Sequence, residues 1–159
     1  EKDIPTHKAI ERALQKHAIR VQYVAEVDNI EVIKKIVEVG TGIDGLKATG
    51  GNAPGAERVL VLEKGEITDG LDTYDDAGRS LSWRLNTENA EALPVSFYTT
   101  TLTVSGAGAG SEVVWDARFY RGDTSNFPPD ELNDEAAVAA MTAFFETGLK
   151  GLKAKVEGK

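Results

Sequence analysis

Gly40-Thr41-Gly42-Ile43-Asp44-Gly45 is the stretch whose spacing comes nearest to a known chemistry. It matches G-x-G-x-x-G, where glycines let the backbone approach a pyrophosphate and a following helix points its N-terminus at it. The apolar run Val32–Val39 precedes it, and Glu63 closes a later strand where a ribose-binding acid would stand. The rest of the motif is missing. Ala48–Gly55 brings three more glycines and a proline where a helix should begin. A lone match is weak, and the plain reading of Gly40–Gly55 is a loop.

Other polar groupings are equally limited. Asp72, Asp75 and Asp76 suggest calcium, but an EF-hand loop counted from Asp72 would need Glu where Trp83 stands. A solvated hairpin turn explains them better. His7 and His17, the two histidines, fall on opposite faces of a helix read over residues 5–17, which disfavours a shared metal. Glu112, Asp116 and Arg118 share one face of a strand; they form either a polar patch in a cavity or the solvent side of a sheet. Trp83, Phe97, Trp115, Phe119, Met141, Phe144 and Phe145 are the large apolar residues that would meet between a sheet and a helix. They line a ligand cavity or fill a core, and both readings stay open.

The elements that would hold these residues follow from periodicity. Residues 18–27 alternate as a strand, with Ile19, Val21, Tyr23, Ala25 and Val27 on one face. Residues 29–39 have helical spacing but many β-branched residues. From Arg58 the pattern becomes strands: Arg58–Glu63, Glu66–Tyr74, Ser80–Asn86, Pro94–Val104 and Ser111–Tyr120. Short turns at Lys64-Gly65 and Asp75–Gly78 imply an antiparallel meander. Arg121–Pro129 is a loop. After it, Val138, Met141, Phe145, Leu149, Leu152 and Val156 recur at 3- and 4-residue steps, the apolar stripe of a long helix. Asp130, Glu131, Asp134 and Glu135 crowd its start and Lys150, Lys153, Lys155 and Lys159 its end, which suits the helix dipole. The predicted fold is α+β: a curved antiparallel sheet wrapped around a long C-terminal helix, the helix-grip arrangement, as a single domain over residues 1–159.

Bulk properties narrow the function. A net charge of −8 argues against a nucleic-acid partner. It would steer the protein toward a basic one. The chain has no cysteine, which removes thiol catalysis, disulfides and zinc–thiolate sites. No run approaches the roughly 18 apolar residues of a membrane span, so no membrane insertion is expected. No haem or flavin signature is present, and no cofactor is expected. The chain begins at Glu1 without Met, which fits a mature exported protein or a trimmed chain.

A resemblance sharpens this. Gly50–Ala56 with Arg58-Val59-Leu60, and Tyr74-Asp75-Asp76 with Leu81-Ser82-Trp83-Arg84, resemble polyketide cyclase/START-like (SRPBCC) proteins. Leu93–Tyr98, Phe119-Tyr120-Arg121-Gly122, Asn126, Pro128-Pro129 and Glu131–Ala137 are similar to the MxaD-like branch of that superfamily. The resemblance covers roughly two-thirds of the chain. It implies a periplasmic, non-catalytic accessory protein of methanol oxidation, with methanol dehydrogenase and its cytochrome cL electron acceptor as partners. It carries over no catalytic residues. Tyr120, Arg121, Asp123, Asn126, Phe127 and Pro128, on the loop after the last strand, are the candidate partner contacts. The alternative is a binder or carrier of a small hydrophobic ligand in the helix–sheet cavity. An enzyme such as a cyclase or hydratase would need ionisable groups converging there, and the sequence locates none.

Overall fold

The computed structural model describes residues 17–25, 45–49, 51–107 and 110–157. Seven strands are seen among them: β1 (His17–Ala25), β2 (Gly45–Thr49), β3 (Glu57–Leu62), β4 (Gly65–Asp75), β5 (Ser80–Thr87), β6 (Val95–Ala107) and β7 (Gly110–Arg121). They form one sheet in the order β1-β7-β6-β5-β4-β3-β2, with every neighbouring pair antiparallel. A single helix turn at Asp130–Leu132 leads into α1 (Asp134–Val156). The α+β arrangement of antiparallel sheet and long C-terminal helix is the one expected. Residues 5–16 of the first expected helix, His7 among them, lie outside the described residues, as do the second expected helix over 29–39 and residues 40–44.

Two expectations change near the N-terminus. His17 opens β1, opposite Phe119 of β7, instead of closing a helix. Gly45–Thr49, read as loop, is a strand paired with Glu57–Val61 of β3. Its glycine-flanked composition hides a short edge strand, which owes its order to the ladder it joins. The last glycine of G-x-G-x-x-G therefore enters an antiparallel strand, where no helix N-terminus can face a phosphate.

Alternation along β3 to β7 supplies one apolar face. Leu60, Ile67, Leu71, Leu81, Leu102, Val113, Trp115 and Phe119 belong to a single core cluster with Ala137, Met141, Phe145, Leu149 and Leu152 of α1. At about 1.5–3 kcal/mol for each large side chain fully buried, this face is what holds the helix to the sheet. Trp115 stacks on Phe145 with ring centroids 4.4 Å apart at 17°, and Phe144 tilts against it at 5.8 Å. The stripe on α1 holds at Met141, Phe145, Leu149 and Leu152 and departs from the one predicted at its start, where Val138 is exposed and Ala137 is buried. Periodicity permits either residue, since Ala137 and Val138 stand four and three residues before Met141. Gly148 is also buried on this side.

Local chemistry sets the ends of the elements. Asn133 caps α1, its side chain accepting from the Ala136 N–H at 2.9 Å. The helix thus starts after Asp130 and Glu131, which stand in the preceding turn. In the β4–β5 turn the Gly78 N–H donates to Asp75 Oδ1 at 2.8 Å, and any Cβ at Gly78 would collide with that carboxylate.

Register shifts interrupt the ladders at three places, at Thr68/Asp69 and Leu71/Thr73 of β4 and at Ser96/Thr99 of β6, and the last two reverse the alternation. In β4 the register shifts between Leu71 and Thr73, so the inward set passes from Ile67, Asp69 and Leu71 to Tyr74. In β6 it shifts between Ser96 and Thr99, so the inward set passes from Val95 to Tyr98, Thr100, Leu102 and Val104.

Candidate functional site

The inner face of the sheet is not wholly apolar. Arg58 of β3 stands directly opposite Asp69 of β4. Its Nε and Nη2 both donate to Asp69 Oδ2, at 2.9 and 2.7 Å. The Tyr98 hydroxyl of β6 donates to the other oxygen, Oδ1. The Arg58 guanidinium also lies 4.1 Å from the centre of the Trp83 ring on β5, a cation–π contact. Asp69, Tyr98 and Trp83 are 0%, 1% and 3% exposed and Arg58 9%. Four strands thus converge on one buried, hydrogen-bonded ion pair. Burial pushes the Asp69 carboxyl above its ordinary value, and the Arg58 charge and hydrogen bonds pull against that.

Beside this cluster lie two buried polar groups of another kind. Thr100 faces Trp83 across β5–β6 and Ala117 across β6–β7, and Trp115 is two residues before Ala117. Thr100 Oγ1 and Trp115 Nε1 are both buried and neither has a hydrogen-bond partner. Such groups are rare in folded proteins and each asks for an explanation.

The sequence candidates separate into three places. Trp83, Trp115, Phe119, Met141 and Phe145 are buried between sheet and helix, with Phe144 half-buried beside them. Phe97, expected in that interior, is 67% exposed. Strict alternation from Val95 would turn it inward; the β6 bulge turns it out, in a positive-φ conformation (φ 48) that is unusual for a bulky side chain. There its N–H donates to Glu88 Oε1 at 3.0 Å and its ring meets Tyr120 edge-on at 6.3 Å. Glu112 and Asp116 are half-buried and Arg118 exposed, with the core residues of β7 alternating against them, so they belong to the outer face and not to a cavity.

The loop candidates also divide. Phe127 is 93% exposed, and Asn126 is exposed beside it, with Pro128 and Tyr120 half-buried. Arg121 is not presented to solvent. It is buried and holds the loop in shape: Nε donates to the Asp123 carbonyl at 2.7 Å, Nη2 to the Ser125 carbonyl at 2.7 Å and Nη1 to Asp134 Oδ2 at 3.1 Å. Asp123 accepts from the Ser125 N–H at 2.7 Å, and that hydrogen bond lowers its carboxyl below the usual range.

The aspartates of the β4–β5 hairpin serve the turn. Asp72 pairs with Arg84, Asp75 takes the Gly78 N–H, and Asp76 accepts from the Tyr74 hydroxyl at 3.2 Å. Among the described residues no group of His, Asp or Glu is placed to hold a metal ion. No described helix is long and apolar enough to cross a membrane.

Sequence reading missed Arg58–Asp69–Tyr98 altogether. The one available signal was a lone Asp inside the apolar alternation of β4, Ile67-x-Asp69-x-Leu71, facing a strand that starts with Arg58.

Sheet, helix and polar interior together define a helix-grip protein. The chain belongs to the polyketide cyclase/dehydrase and lipid transport family, whose pattern it matches over residues 22–157. Solved structures of the same fold include the XoxI protein of Bacillus cereus, at 22% identity and TM-score 0.67, covering 87% of this chain and 94% of that one. The Zhui aromatase/cyclase of Streptomyces sp. R1128 is similar at 13% identity and TM-score 0.71, covering 90% and 94%. Norcoclaurine synthase of Thalictrum flavum, solved with dopamine and hydroxybenzaldehyde, is similar at 11% identity and TM-score 0.67, covering 93% and 90%. No curated protein matches the chain.

Proposed function

We propose that this protein is a non-catalytic binder or carrier of a small, mainly apolar molecule held between the sheet and α1. The observation that carries this is the pair of buried, unpartnered hydrogen-bonding groups, Thr100 Oγ1 and Trp115 Nε1, in the interior of a family described by lipid transport. Leaving such a group unsatisfied costs about 1–3 kcal/mol, which a bound polar atom would recover. The ionisable groups that do converge, Arg58 and Asp69, satisfy each other. An acid or base catalyst needs a proton-accepting or proton-donating atom left over for substrate. Native mass spectrometry of gently purified protein tests the reading: a defined small-molecule adduct is expected, and a persistently ligand-free spectrum counts against it.

A second reading has its own observation. The outer end of β6 and β7 exposes Phe97 against Tyr120, and Phe127 stands out from a loop that Arg121 holds rigid. On a chain of net charge −8 this is an aromatic contact set in an acidic field. It favours the finer assignment drawn from the MxaD-like resemblance, a periplasmic accessory that assists methanol dehydrogenase with cytochrome cL. Isothermal titration into methanol dehydrogenase, with and without cytochrome cL, decides it. Binding that weakens with salt and is lost in Phe127→Ala supports the assignment; no heat in either case ends it.

A further inference from the structure

The interior polar groups also say what kind of molecule would be held, and this rests on the ligand-binding reading above. Arg58 brings one positive charge into the grip and Asp69 one negative charge, 2.7 Å away. Both carboxylate oxygens are occupied, one by Arg58 and one by Tyr98. The cluster is therefore neutral as a unit, and its acceptors are engaged. The unpartnered groups are of the opposite kind. Trp115 Nε1–H is a donor only, and Thr100 carries a hydroxyl that donates or accepts. They sit on neighbouring strands as diagonal positions of the same inner face, Thr100 being opposite Ala117 and Trp115 two residues before it. Diagonal pairs of this kind are roughly 7–8 Å apart at the backbone, within reach of an aromatic side chain.

We infer that Trp115 and Thr100 form a recognition pair for a neutral hydrogen-bond acceptor, a ketone, ester or ether oxygen, on an otherwise apolar ligand. A carboxylate fits poorly, because the buried cations among the described residues, Arg58 and Arg121, are already matched by Asp69 and Asp134, and a further anion would be desolvated without compensation. A pure hydrocarbon fits poorly as well, because it leaves both groups unsatisfied. The Trp115–Phe145 stack holds the indole in place, so its N–H is oriented before the ligand arrives.

Three naphthalenes of similar size separate these cases: 2-acetylnaphthalene, 2-ethylnaphthalene and 2-naphthoate. Their dissociation constants are measured on the full chain, and the two tryptophan indole N–H signals are followed by NMR, with Trp115→Phe identifying which is which. The ketone is expected to bind about tenfold more tightly than the hydrocarbon, the worth of one good hydrogen bond, and to shift the Trp115 signal. Trp115→Phe and Thr100→Val should each cut that preference several-fold, read within each variant as the ratio of the ketone and hydrocarbon dissociation constants. Thr100→Val conserves shape, so it stands if Trp115→Phe unfolds. Equal binding of ketone and hydrocarbon, or a preference that survives both substitutions, overturns the recognition pair while leaving interior binding intact. Tightest binding by 2-naphthoate overturns the neutral-acceptor assignment. Failure of all three to bind removes the ligand-binding reading, and the pair with it.

Discussion

Strand β4 carries two aspartates that each pair with an arginine on a neighbouring strand, and the two pairs are built for different ends. Asp69 turns into the grip, where the pair with Arg58 is 0% and 10% exposed at its side chains. Asp72 turns outward, and its pair with Arg84, at 2.6 Å, is 24% and 61% exposed. The chemistry and the contact length are nearly the same, and the solvent differs. The outer pair trades hydration for a contact of similar strength, so it holds little net energy. In the inner pair neither charge has water to return to, so each depends on the other. The β4 bulge between Leu71 and Thr73 lies next to the outer aspartate, at the place where the strand changes which residues it sends inward. Alternation from Ile67 through Leu71 already sends Asp69 inward and Asp72 outward, and the bulge brings Tyr74, in place of Thr73, to the inner face.

The largest expected effect breaks the inner pair. Asp69→Ala strands Arg58 and deprives the Tyr98 hydroxyl of its acceptor, and should cost about 3–5 kcal/mol in urea unfolding. A cost below about 1 kcal/mol would mean that Arg58 escapes to solvent. Next, removing the whole polar set tests whether it exists for stability. Arg58→Met with Asp69→Leu and Tyr98→Phe should fold with stability within about 1 kcal/mol of the parent, or above it. If it instead falls as far as Asp69→Ala, the polar set is worth more than an apolar replacement. Asp72→Ala should change stability by about 0–1 kcal/mol and by less in high salt, measured the same way. The smallest effect is the pH dependence. Burial holds the Asp69 carboxyl above its ordinary value, so the folded chain binds that proton more tightly than the unfolded chain does. Its contribution is complete below the ordinary carboxylate range and fades as pH rises through the raised value. Relative to Asp69→Asn, the parent should lose urea stability between acid and neutral pH. The reverse slope would show that attraction to Arg58 outweighs desolvation.

Much of the frame was legible without coordinates. Strands β3 to β7 and the C-terminal helix read out because each must present one apolar face, and a period of two or of 3.6 residues follows from that alone. Trp83, Trp115, Phe119, Met141 and Phe145 were placed together by the same logic. The departures are the positions where the backbone leaves the ideal period. Phe97 was misplaced because a bulge reverses the alternation between Val95 and Tyr98. Val138 was misplaced because helical spacing cannot distinguish it from Ala137, one residue earlier on the same turn. Strand β2 was missed because an edge strand takes its order from its neighbour.

The site divides along the same line. Residue types and periodicity determined that a meander and a helix would enclose an aromatic interior, with an acidic surface and no cysteine chemistry. Register decided the rest. Only pairing β3 with β4 sets Arg58 against Asp69, only the β6 bulge brings the Tyr98 hydroxyl to that carboxylate, and only pairing β6 with β7 sets Thr100 diagonal to Trp115. Local sequence encodes which face a side chain takes. What it meets there depends on strands that are distant in the chain, and in this protein that long-range pairing makes the polar interior.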